Sequence, residues 1–432
     1  MALLAVFLLV FLMAIGVPVA WSFAAVLAYL IFIFDVNTTT LLLQGVRSLD
    51  SIILLALPLF IFAGYLMRSG GIAKRLIDFV DLFVGHYKGG LGGSMIIASA
   101  VFGAIAGTAT AAVAAIGTVM IGPMEKRGYP RGYSSALLGF SSLLGIMIPP
   151  SITLILFGVI TRQSITALFA ATIGPALLLI IFLLIFNRFI GYKWIDDQAR
   201  LEATRMKRDT RKYLKTTFAA LPALSMPFLI LGGIYGGVFT PTEAAAVAAV
   251  ASLFIGLFIY KDMTLKSLYK SIIESAETTG SIMLILIFSF MIGKILVAQR
   301  LPQDISAFVT ATIGNPFVIL LLVNVFLVAA GMIMDDVSVT VVIAPILLPL
   351  MTAIGIDPIH YGAIVASSVV IGANSPPVAV ILYLACRIGN VSIHRAVVPA
   401  IYLIVLVGLP VLLATTFFPN LSLFFPRLLG VY

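Results

Sequence analysis

The chain has 432 residues, of which 62% are hydrophobic and 10% charged, and its formal net charge is +9. Soluble domains are about half apolar and about a quarter charged, so this composition excludes an ordinary soluble protein. Apolar runs extend along the whole chain and would hold about ten or more segments of the roughly 20 residues that cross a bilayer. We therefore expect an all-α polytopic membrane protein.

Two short apolar arms form the first distinctive pattern. Residues 91–102 and 111–122 flank a tip of small and polar residues, GAIAGTAT at 103–110, and Pro123 ends the second arm. Arms of about 12 residues are too short to span a bilayer alone, so we expect a re-entrant hairpin. The unpaired backbone of such a tip is tolerated only against protein or a water-filled cavity.

The pair Pro149-Pro150 interrupts the next apolar stretch, residues 134–158. Proline removes a backbone donor and pushes the preceding residue out of helical geometry. We therefore expect the helix to unwind near the middle of the membrane, where the freed carbonyls could bind a cation. The alternative is a kink that serves only packing.

A basic stretch, residues 187–217, separates the two halves and holds nine basic residues against four acids. Cytoplasmic loops are rich in Lys and Arg, so we predict a cytoplasmic linker, and the net charge requires no nucleic-acid partner. Further on, residues 240–243 read Thr-Pro-Thr-Glu. A capping residue, a proline in the first turn and a glutamate three residues after the cap predict the start of a helix.

The second half repeats the hairpin and the break. Residues 317–330 and 338–348 are the arms, GMIMDDV at 331–337 is the tip, Pro349 ends the second arm, and Pro376-Pro377 interrupts the stretch 361–384. At one constant offset the matched residues are Gly128 and Gly355, Ala136 and Ala363, Ser141 and Ser368, Gly145 and Gly372, and the two Pro-Pro pairs. Hairpins and broken helices in both halves are typical of a secondary transporter with an inverted repeat.

The residues that we expect to bind the solute and its coupling ion lie at the tips and breaks. Hard cations prefer oxygen ligands, which hydroxyls, carbonyls and carboxylates supply. For Na⁺ we expect Gly107, Gly145, Pro149, Gly331, Asp335, Gly372 and Pro376, and for the substrate Thr108, Thr110, Ser151, Asn374 and Ser375. The glycines could instead serve only close helix packing.

Charged residues near the apolar stretches are few. An acid at membrane depth is costly and predicts a function, so of Asp335 and Asp336 we expect at most one to be functional; if the tip reaches water, both are merely solvated. Four sparse basic residues could bind an anionic substrate: Arg162, Lys294, Arg300 and Arg387. We expect them instead to anchor helix ends at lipid headgroups. Hydroxyls and backbone amides at the hairpin tips are then the expected carboxylate ligands.

Several function classes are excluded by what the sequence lacks. There is one cysteine and there are three scattered histidines, no G-x-x-x-x-G-K-[ST] phosphate loop and no H-E-x-x-H pair. An intramembrane enzyme and a passive scaffold subunit are the remaining alternatives. The scattered histidines disfavour the enzyme, which would need a convergent acid–base or metal set, and a scaffold would not need the duplicated breaks. We divide the chain into scaffold helices (1–90), a first transport unit (91–175), the linker (187–217), second scaffold helices (218–315), a second transport unit (316–400) and a C-terminal helix (401–432).

Across its whole length the chain resembles the large membrane subunit of tripartite ATP-independent periplasmic (TRAP) transporters. The resemblance is carried by VGHYKGGLGGSMIIASAVFGAIAGTATAAVAAIG (84–117), LLGIMIPPSI (143–152), GVFTPTEAAAVA (237–248), APILLPLMTAIGIDPIHYGAIV (344–365) and GANSPPV (372–378). It implies an inner-membrane protein that uses a Na⁺ gradient to import organic acids, often C4-dicarboxylates or sialic acid. An H⁺-coupled carrier of the same architecture is the alternative.

The resemblance also implies partners and a movement. A periplasmic solute-binding protein delivers the substrate, a small four-helix membrane subunit packs beside the large one, and the substrate site moves as an elevator against a static scaffold. No cofactor is expected besides the coupling ion. Two departures concern the tips: family members commonly have a serine-rich first tip and one acid in the second, whereas this chain has Gly107-Thr108-Ala109-Thr110 and Asp335-Asp336.

Overall fold

The computed structural model describes residues 1–85, 87, 89–194, 210–376 and 378–432, and these form helices without any strand. Within those ranges, eight helices are long and apolar enough to cross a membrane, or nine if the bent pair Arg131–Met147 and Ile152–Thr161 is one span. Four shorter apolar helices accompany them. The count falls below the ten or more full spans expected because several apolar runs fold into short or broken helices.

The helices before the linker include both arms of the first hairpin, Gly90–Ala106 and Ala109–Lys126. In chain order they are Ala2–Ala14, Val19–Phe34, Thr38–Leu49, Ala56–Ser69 (preceded by a 3₁₀ turn, Ile52–Leu55), Ile72–Val84, Gly90–Ala106, Ala109–Lys126, Arg131–Ser142, Leu144–Met147, Ile152–Thr161, Ile165–Ala171 and Ile173–Phe189, followed by a 3₁₀ turn, Gly191–Trp194.

After the linker, three helices contain one π-helical turn each. In order, the helices are Thr210–Tyr235, Pro241–Phe254 (with Ile255–Ile259), Leu265–Ala298, Leu301–Ile313, Pro316–Ile333, Asp336–Ser338 (with Val339–Ile343 and Ala344–Ala353), Pro358–Gly372, Val380–Ile388, Ile393–Leu403 (with Ile404–Gly408 and Leu409–Phe417) and Pro419–Leu428. The second hairpin consists of Pro316–Ile333 and the continuous return arm Asp336–Ala353.

Both ends of the first hairpin lie on the linker side of the protein. The Asn187 amide, near the end of the last helix before the linker, donates to the carbonyl of Gly89 at 2.8 Å, and the Tyr133 hydroxyl donates to Asn187 at 2.9 Å. Tyr213, just after the linker, donates to the carbonyl of Leu82 at 2.7 Å. The hairpin therefore enters and leaves on one side, which makes it re-entrant.

The second hairpin enters from the opposite side. The long helix Leu265–Ala298 starts on the linker side, where Arg75 pairs with Asp262 and the Tyr260 hydroxyl donates to the carbonyl of Ala219 at 2.9 Å. It ends beside Leu301–Ile313, which packs against the end of the second hairpin. The two halves are thus related by an inverted repeat, and the predicted fold class is confirmed.

The hairpin arms are longer than the 12–14 residues expected. They have 17 and 18 residues in the first hairpin and 18 in each arm of the second, and they run past Pro123 and Pro349, where we expected them to end. A proline removes only one backbone donor, and the donors after it still find acceptors: Arg127 donates to the carbonyl of Pro123 at 3.2 Å. A proline close to a helix end therefore need not end the helix.

Glycine pairs mark where each hairpin crosses a broken helix. A Cβ atom added to Gly103 would lie 2.8 Å from the Cα of Gly145, and one added to Gly372 would lie 2.6 Å from the Cα of Gly331. The first arm of each hairpin thus touches the long half of the broken helix in its own repeat, backbone against backbone. Close packing, the alternative role for these glycines, is observed, and their role as ion ligands stays a prediction.

The short halves of the broken helices pack across the repeats. Ile152–Thr161 packs against the return arm of the second hairpin, and Val380–Ile388 packs against the return arm of the first. The scaffold is held together separately, by the long helix Leu265–Ala298 against Ala56–Ser69, where Arg68 pairs with Glu274 and the hydroxyls of Tyr65 and Thr278 lie 2.9 Å apart. The two hairpins and two breaks form one interlocked group.

Some expected boundaries shift. The predicted capping box is present: Thr240 accepts from the backbone of Glu243, and the Glu243 carboxylate accepts from the backbone of Thr240. The domain ends drawn at residues 175 and 400 fall inside the helices Ile173–Phe189 and Ile393–Leu403. The linker ends drawn at 187 and 217 likewise fall inside helices, Ile173–Phe189 and Thr210–Tyr235, because apolar and basic composition alone does not locate a helix terminus. Of the linker, residues 195–209 lie outside the described residues, and the division into scaffold and transport units stays a prediction.

Candidate functional site

The first tip, Gly107 and Thr108, lies directly against the first break. Gly107 adopts a left-handed conformation with φ +66°, and its carbonyl accepts from the backbone N–H of Ile152 at 3.2 Å. A Cβ on Gly107 would lie 2.7 Å from the carbonyl oxygen of Pro150. The tip and the break are therefore in backbone contact, and only a residue without a side chain fits the crossing.

The first break spans residues 148–151. Ile148 and Ser151 are extended, and the two half-helices bend by 41°. Ser151 and Thr108 cap the two helices that start here: the Ser151 hydroxyl accepts from Leu154 N–H at 3.4 Å, and the Thr108 hydroxyl accepts from Ala111 N–H at 3.3 Å. Two helix N-termini thus start side by side at the first break, where their partial positive charge favours anions.

The second tip comprises Met334, Asp335 and Asp336, and the return arm of the second hairpin begins at Asp336. The Ser338 hydroxyl donates to the Asp335 carboxylate within the same helix turn. The neighbouring carboxylate reaches further: the Thr153 hydroxyl, on the short half of the first broken helix, donates to Asp336 at 2.8 Å. Among the described residues, neither carboxylate forms an ion pair with a basic side chain.

Both tips therefore meet the same stretch of chain, residues 150–153. The first tip contacts Pro150 and Ile152 from the linker side, and the second tip contacts Thr153 from the opposite side. The stretch combines main-chain carbonyls, hydroxyls and two carboxylates around an interrupted helix. Such a set of oxygen atoms is suited to a cation, and the backbone N–H groups of the two helix N-termini are suited to an anion.

The second break, residues 373–379, carries a buried amide without a partner. Asn374 is 1% exposed, and neither its oxygen nor its nitrogen has a hydrogen-bond partner in the described part of the chain. Its oxygen faces Gly139, where an added Cβ would lie 2.9 Å away. Ser375 is buried and donates to the carbonyl of Ile371 at 2.7 Å. Pro376 is half-buried, and Pro377 lies outside the described residues.

All of the predicted site residues except Thr110 fall into three groups. Gly107, Thr108, Gly145, Pro149 and Ser151 come together at the first tip and break, Asp336 joins them through Thr153, and Asp335 is the residue before Asp336. Gly331 and Gly372 form the crossing of the second repeat, and Asn374, Ser375 and Pro376 lie in the second break. Thr110 is exposed. No structural contact tests what any of them binds, so their roles stay predictions.

Thr153 was not among the predicted site residues. Nothing in its local sequence distinguishes it from other hydroxyl residues in apolar helices. It is three residues past the Pro-Pro pair on the face that meets the other repeat, and it is 2% exposed. The inverted repeat is the sequence feature that could have predicted Thr153, because in such a repeat the short segment of one broken helix packs against the hairpin of the other repeat.

Comparison with known proteins gives the family. Residues 6–421 match the family described as tripartite ATP-independent periplasmic transporter, DctM component. The chain belongs to this family. It is therefore a TRAP transporter large permease subunit, an inner-membrane protein and a transporter component rather than an enzyme, as the resemblance implied.

The individual relatives include permeases with different solutes in their names. The chain is 36% identical to the C4-dicarboxylate TRAP transporter large permease protein DctM of Pseudomonas aeruginosa, over 88% of this chain and 87% of that one. It is 34% identical to the sialic acid TRAP transporter large permease protein SiaM of Vibrio cholerae, over 96% and 95%. The similarity extends across the hairpins, the breaks and the scaffold of this TRAP permease.

A solved structure shares the fold. The TRAP permease is similar to the YdaH transporter of Alcanivorax borkumensis with a TM-score of 0.58, covering 90% of this chain and 88% of that one. The identity is 13%, so the likeness concerns the fold alone. It agrees with the helical transporter fold class predicted from the repeat.

Proposed function

We propose that this TRAP permease imports a small organic anion, a C4-dicarboxylate, sialic acid or a similar carboxylate, together with Na⁺. The observation that carries the proposal is the meeting of both hairpin tips at residues 150–153, with Asp336 bonded across the repeats to Thr153. The relatives named for C4-dicarboxylates and sialic acid support the substrate class.

The coupling ion is inferred from the atoms at this meeting point. Two adjacent carboxylates without a basic partner among the described residues favour a bound cation, and the side chains that hydrogen-bond to them, Thr153 and Ser338, are hydroxyls rather than imidazoles or thiols. Oxygen-only surroundings suit a hard cation and not a transition metal. We assign the cation as Na⁺ and the buried, unpartnered Asn374 amide as a further ligand for ion, substrate or water.

The proposed movement is that of an elevator with a periplasmic supply of substrate. The two hairpins and two broken helices interlock through Gly103–Gly145, Gly331–Gly372 and Thr153–Asp336. They therefore suit a single rigid unit, while the long helix Leu265–Ala298 organises a separate scaffold. A small four-helix membrane subunit beside the scaffold and a periplasmic solute-binding protein complete the transporter in this proposal.

Reconstitution tests the proposed coupling. The permease with its small subunit is placed in vesicles, a binding protein loaded with radiolabelled succinate or N-acetylneuraminate is supplied outside, and uptake is followed with an inward Na⁺ gradient or with K⁺ on both sides. We expect uptake of one of the two probes only with the Na⁺ gradient, because binding of Na⁺ is required to complete the site.

A pH gradient without Na⁺ is the control. Uptake that depends on the pH gradient and not on Na⁺ would identify H⁺ as the coupling ion, with Asp335 and Asp336 as the groups that carry the proton. Uptake of neither probe with any gradient, by a complex that is shown to be assembled, would contradict the proposed substrate class.

A further inference from the structure

A cavity of about 560 Å³ opens between the scaffold and the second hairpin. One wall comes from Thr38–Leu49 and the long helix Leu265–Ala298, and the other from the end of Ile152–Thr161 and the return arm Asp336–Ala353. Its polar lining consists of Gln44, Arg162, Ser289 and Lys294, and the rest is apolar. This volume can hold a small organic anion, since ligand pockets commonly begin at about 300 Å³.

The cavity lies above the proposed ion site, on the side away from the linker. Its moving wall begins at the Thr153–Asp336 contact: Ile160 is seven residues beyond Thr153, and Val341 is five beyond Asp336. At about 1.5 Å per residue, the cavity is about 7–10 Å from that contact along each helix. The Ser289 hydroxyl donates to the carbonyl of Val341 at 2.9 Å and closes the floor between scaffold and hairpin.

The charge of the cavity is wholly positive. Arg162 and Lys294 are both exposed, and no acidic residue is among the described residues that line the cavity. The Lys294 ammonium donates to the neutral Gln44 amide at 2.9 Å, which leaves its charge uncompensated and two of its three donors available. Apolar walls lower the local dielectric constant, so two cations in one cleft concentrate anions there.

We propose that this cavity is a loading site for the carboxylate of the transported anion, held between Arg162 and Lys294 before it reaches the hairpin tips. Arg162 belongs to the hairpin-and-break group and Lys294 to the scaffold, so the bound anion bridges two bodies that the proposed elevator movement separates. The inference rests on the proposed function for the identity of the anion. It replaces the headgroup-anchor role that the sequence suggested for these two residues.

Thiol labelling tests the site without knowledge of the substrate. The buried native cysteine is removed by Cys386→Ala, and a reporter is introduced by Val297→Cys, which lines the cavity and is 56% exposed. Labelling rates are compared for the anionic reagent MTSES and its cationic counterpart MTSET. We expect the ratio of anionic to cationic rates to be about tenfold higher than at a control cysteine, because the cleft concentrates anions.

The control cysteine is Val238→Cys, which is 68% exposed in a turn at the same end of the protein and is not among the residues lining the cavity. The double neutralisation Arg162→Gln with Lys294→Gln should lower the ratio at position 297 to that of the control. An equal ratio at the two positions, or a ratio that survives the neutralisation, overturns the proposal.

Two further arms identify the source of the anionic group. Potassium acetate should slow MTSES labelling at position 297 more than potassium chloride at matched ionic strength. Phosphatidylglycerol nanodiscs should leave the rate as it is in phosphatidylcholine nanodiscs. Slowing by phosphatidylglycerol but not by acetate makes the cavity a lipid-headgroup site and overturns the proposal. All labelling is done in K⁺ buffers, so the labelling result does not depend on Na⁺ coupling. If labelling contradicts the loading site while uptake still requires Na⁺, the proposed function is unaffected.

Discussion

Replacing Asp336 with asparagine is expected to raise the Na⁺ concentration that gives half-maximal uptake by about tenfold to a hundredfold. The change keeps the size of the side chain and removes its charge, and interactions with a charged oxygen are worth about 1.5–3 kcal/mol. The carboxylate is the group through which the second hairpin reaches the first broken helix, at Thr153. Uptake by reconstituted vesicles across a series of Na⁺ concentrations measures the effect.

Matched variants separate charge from structure. Thr153→Val removes only the hydroxyl that donates to Asp336 and should lower uptake in the same direction, whereas Thr153→Ser keeps the donor and should be nearly neutral. Glu277→Gln neutralises an exposed acid on the scaffold helix and should leave the Na⁺ dependence unchanged. An unchanged Na⁺ dependence in Asp336→Asn would remove this carboxylate from the ion site.

Alanine at Gly107 is expected to reduce uptake by about tenfold or more at an unchanged amount of folded protein. The left-handed conformation costs a residue with a side chain about 1–2 kcal/mol. The new Cβ would also lie 2.7 Å from the carbonyl oxygen of Pro150, so the tip must move away from the break. About 1.4 kcal/mol corresponds to a factor of ten, so the two costs together are enough to lower the population of the transport-competent conformation by tenfold or more.

Gly122→Ala is the matched control, in the return arm of the same hairpin. An added Cβ there meets no atom within 4 Å, and alanine favours a helix over glycine. Its uptake should equal that of the wild type, with detergent-solubilised yield compared for both variants. Equal uptake by Gly107→Ala would show that the contact between tip and break is not needed for transport.

Much of this architecture could be predicted because it rests on strong local rules. Two successive prolines in the interior of an apolar stretch, as at 149–150, predict an interrupted helix. The recurrence of Gly145 and Pro149-Pro150 as Gly372 and Pro376-Pro377 identifies the second half as a repeat of the first. The capping box at Thr240 was predicted from three residues within four positions, Thr240, Pro241 and Glu243. The number of spans was predicted less accurately, because apolar composition does not distinguish a full span from a hairpin arm.

The features of the site that could not be predicted from the sequence depend on contacts between segments that are far apart in the chain. The Thr153 hydroxyl donates to Asp336, which is 183 positions away in the chain, and no local sequence pattern predicts such a pair. The prediction that the return arm ends at Pro123 was wrong, because the helix Ala109–Lys126 continues through this proline and loses only one backbone hydrogen bond. The sequence predicts Gly145, Gly331 and Gly372 as ion ligands, which stays a prediction, and the structure shows that they also allow close backbone contact, Gly145 with Gly103 and Gly331 with Gly372. Arg162 and Lys294 looked like separate helix anchors until the fold placed both in one cavity.

Na⁺-specific stabilisation of the purified permease tests the central proposal most directly, because it requires neither the substrate nor the binding protein. The unfolding temperature is measured in NaCl and in KCl at equal ionic strength, for the wild type and for Asp336→Asn. A bound ion stabilises the folded state by about 1.4 kcal/mol at about ten times its dissociation constant. We predict a higher unfolding temperature in NaCl for the wild type and a much smaller difference between the two salts for Asp336→Asn. Equal unfolding temperatures for the wild type in the two salts would contradict a Na⁺ site at the meeting of the hairpin tips.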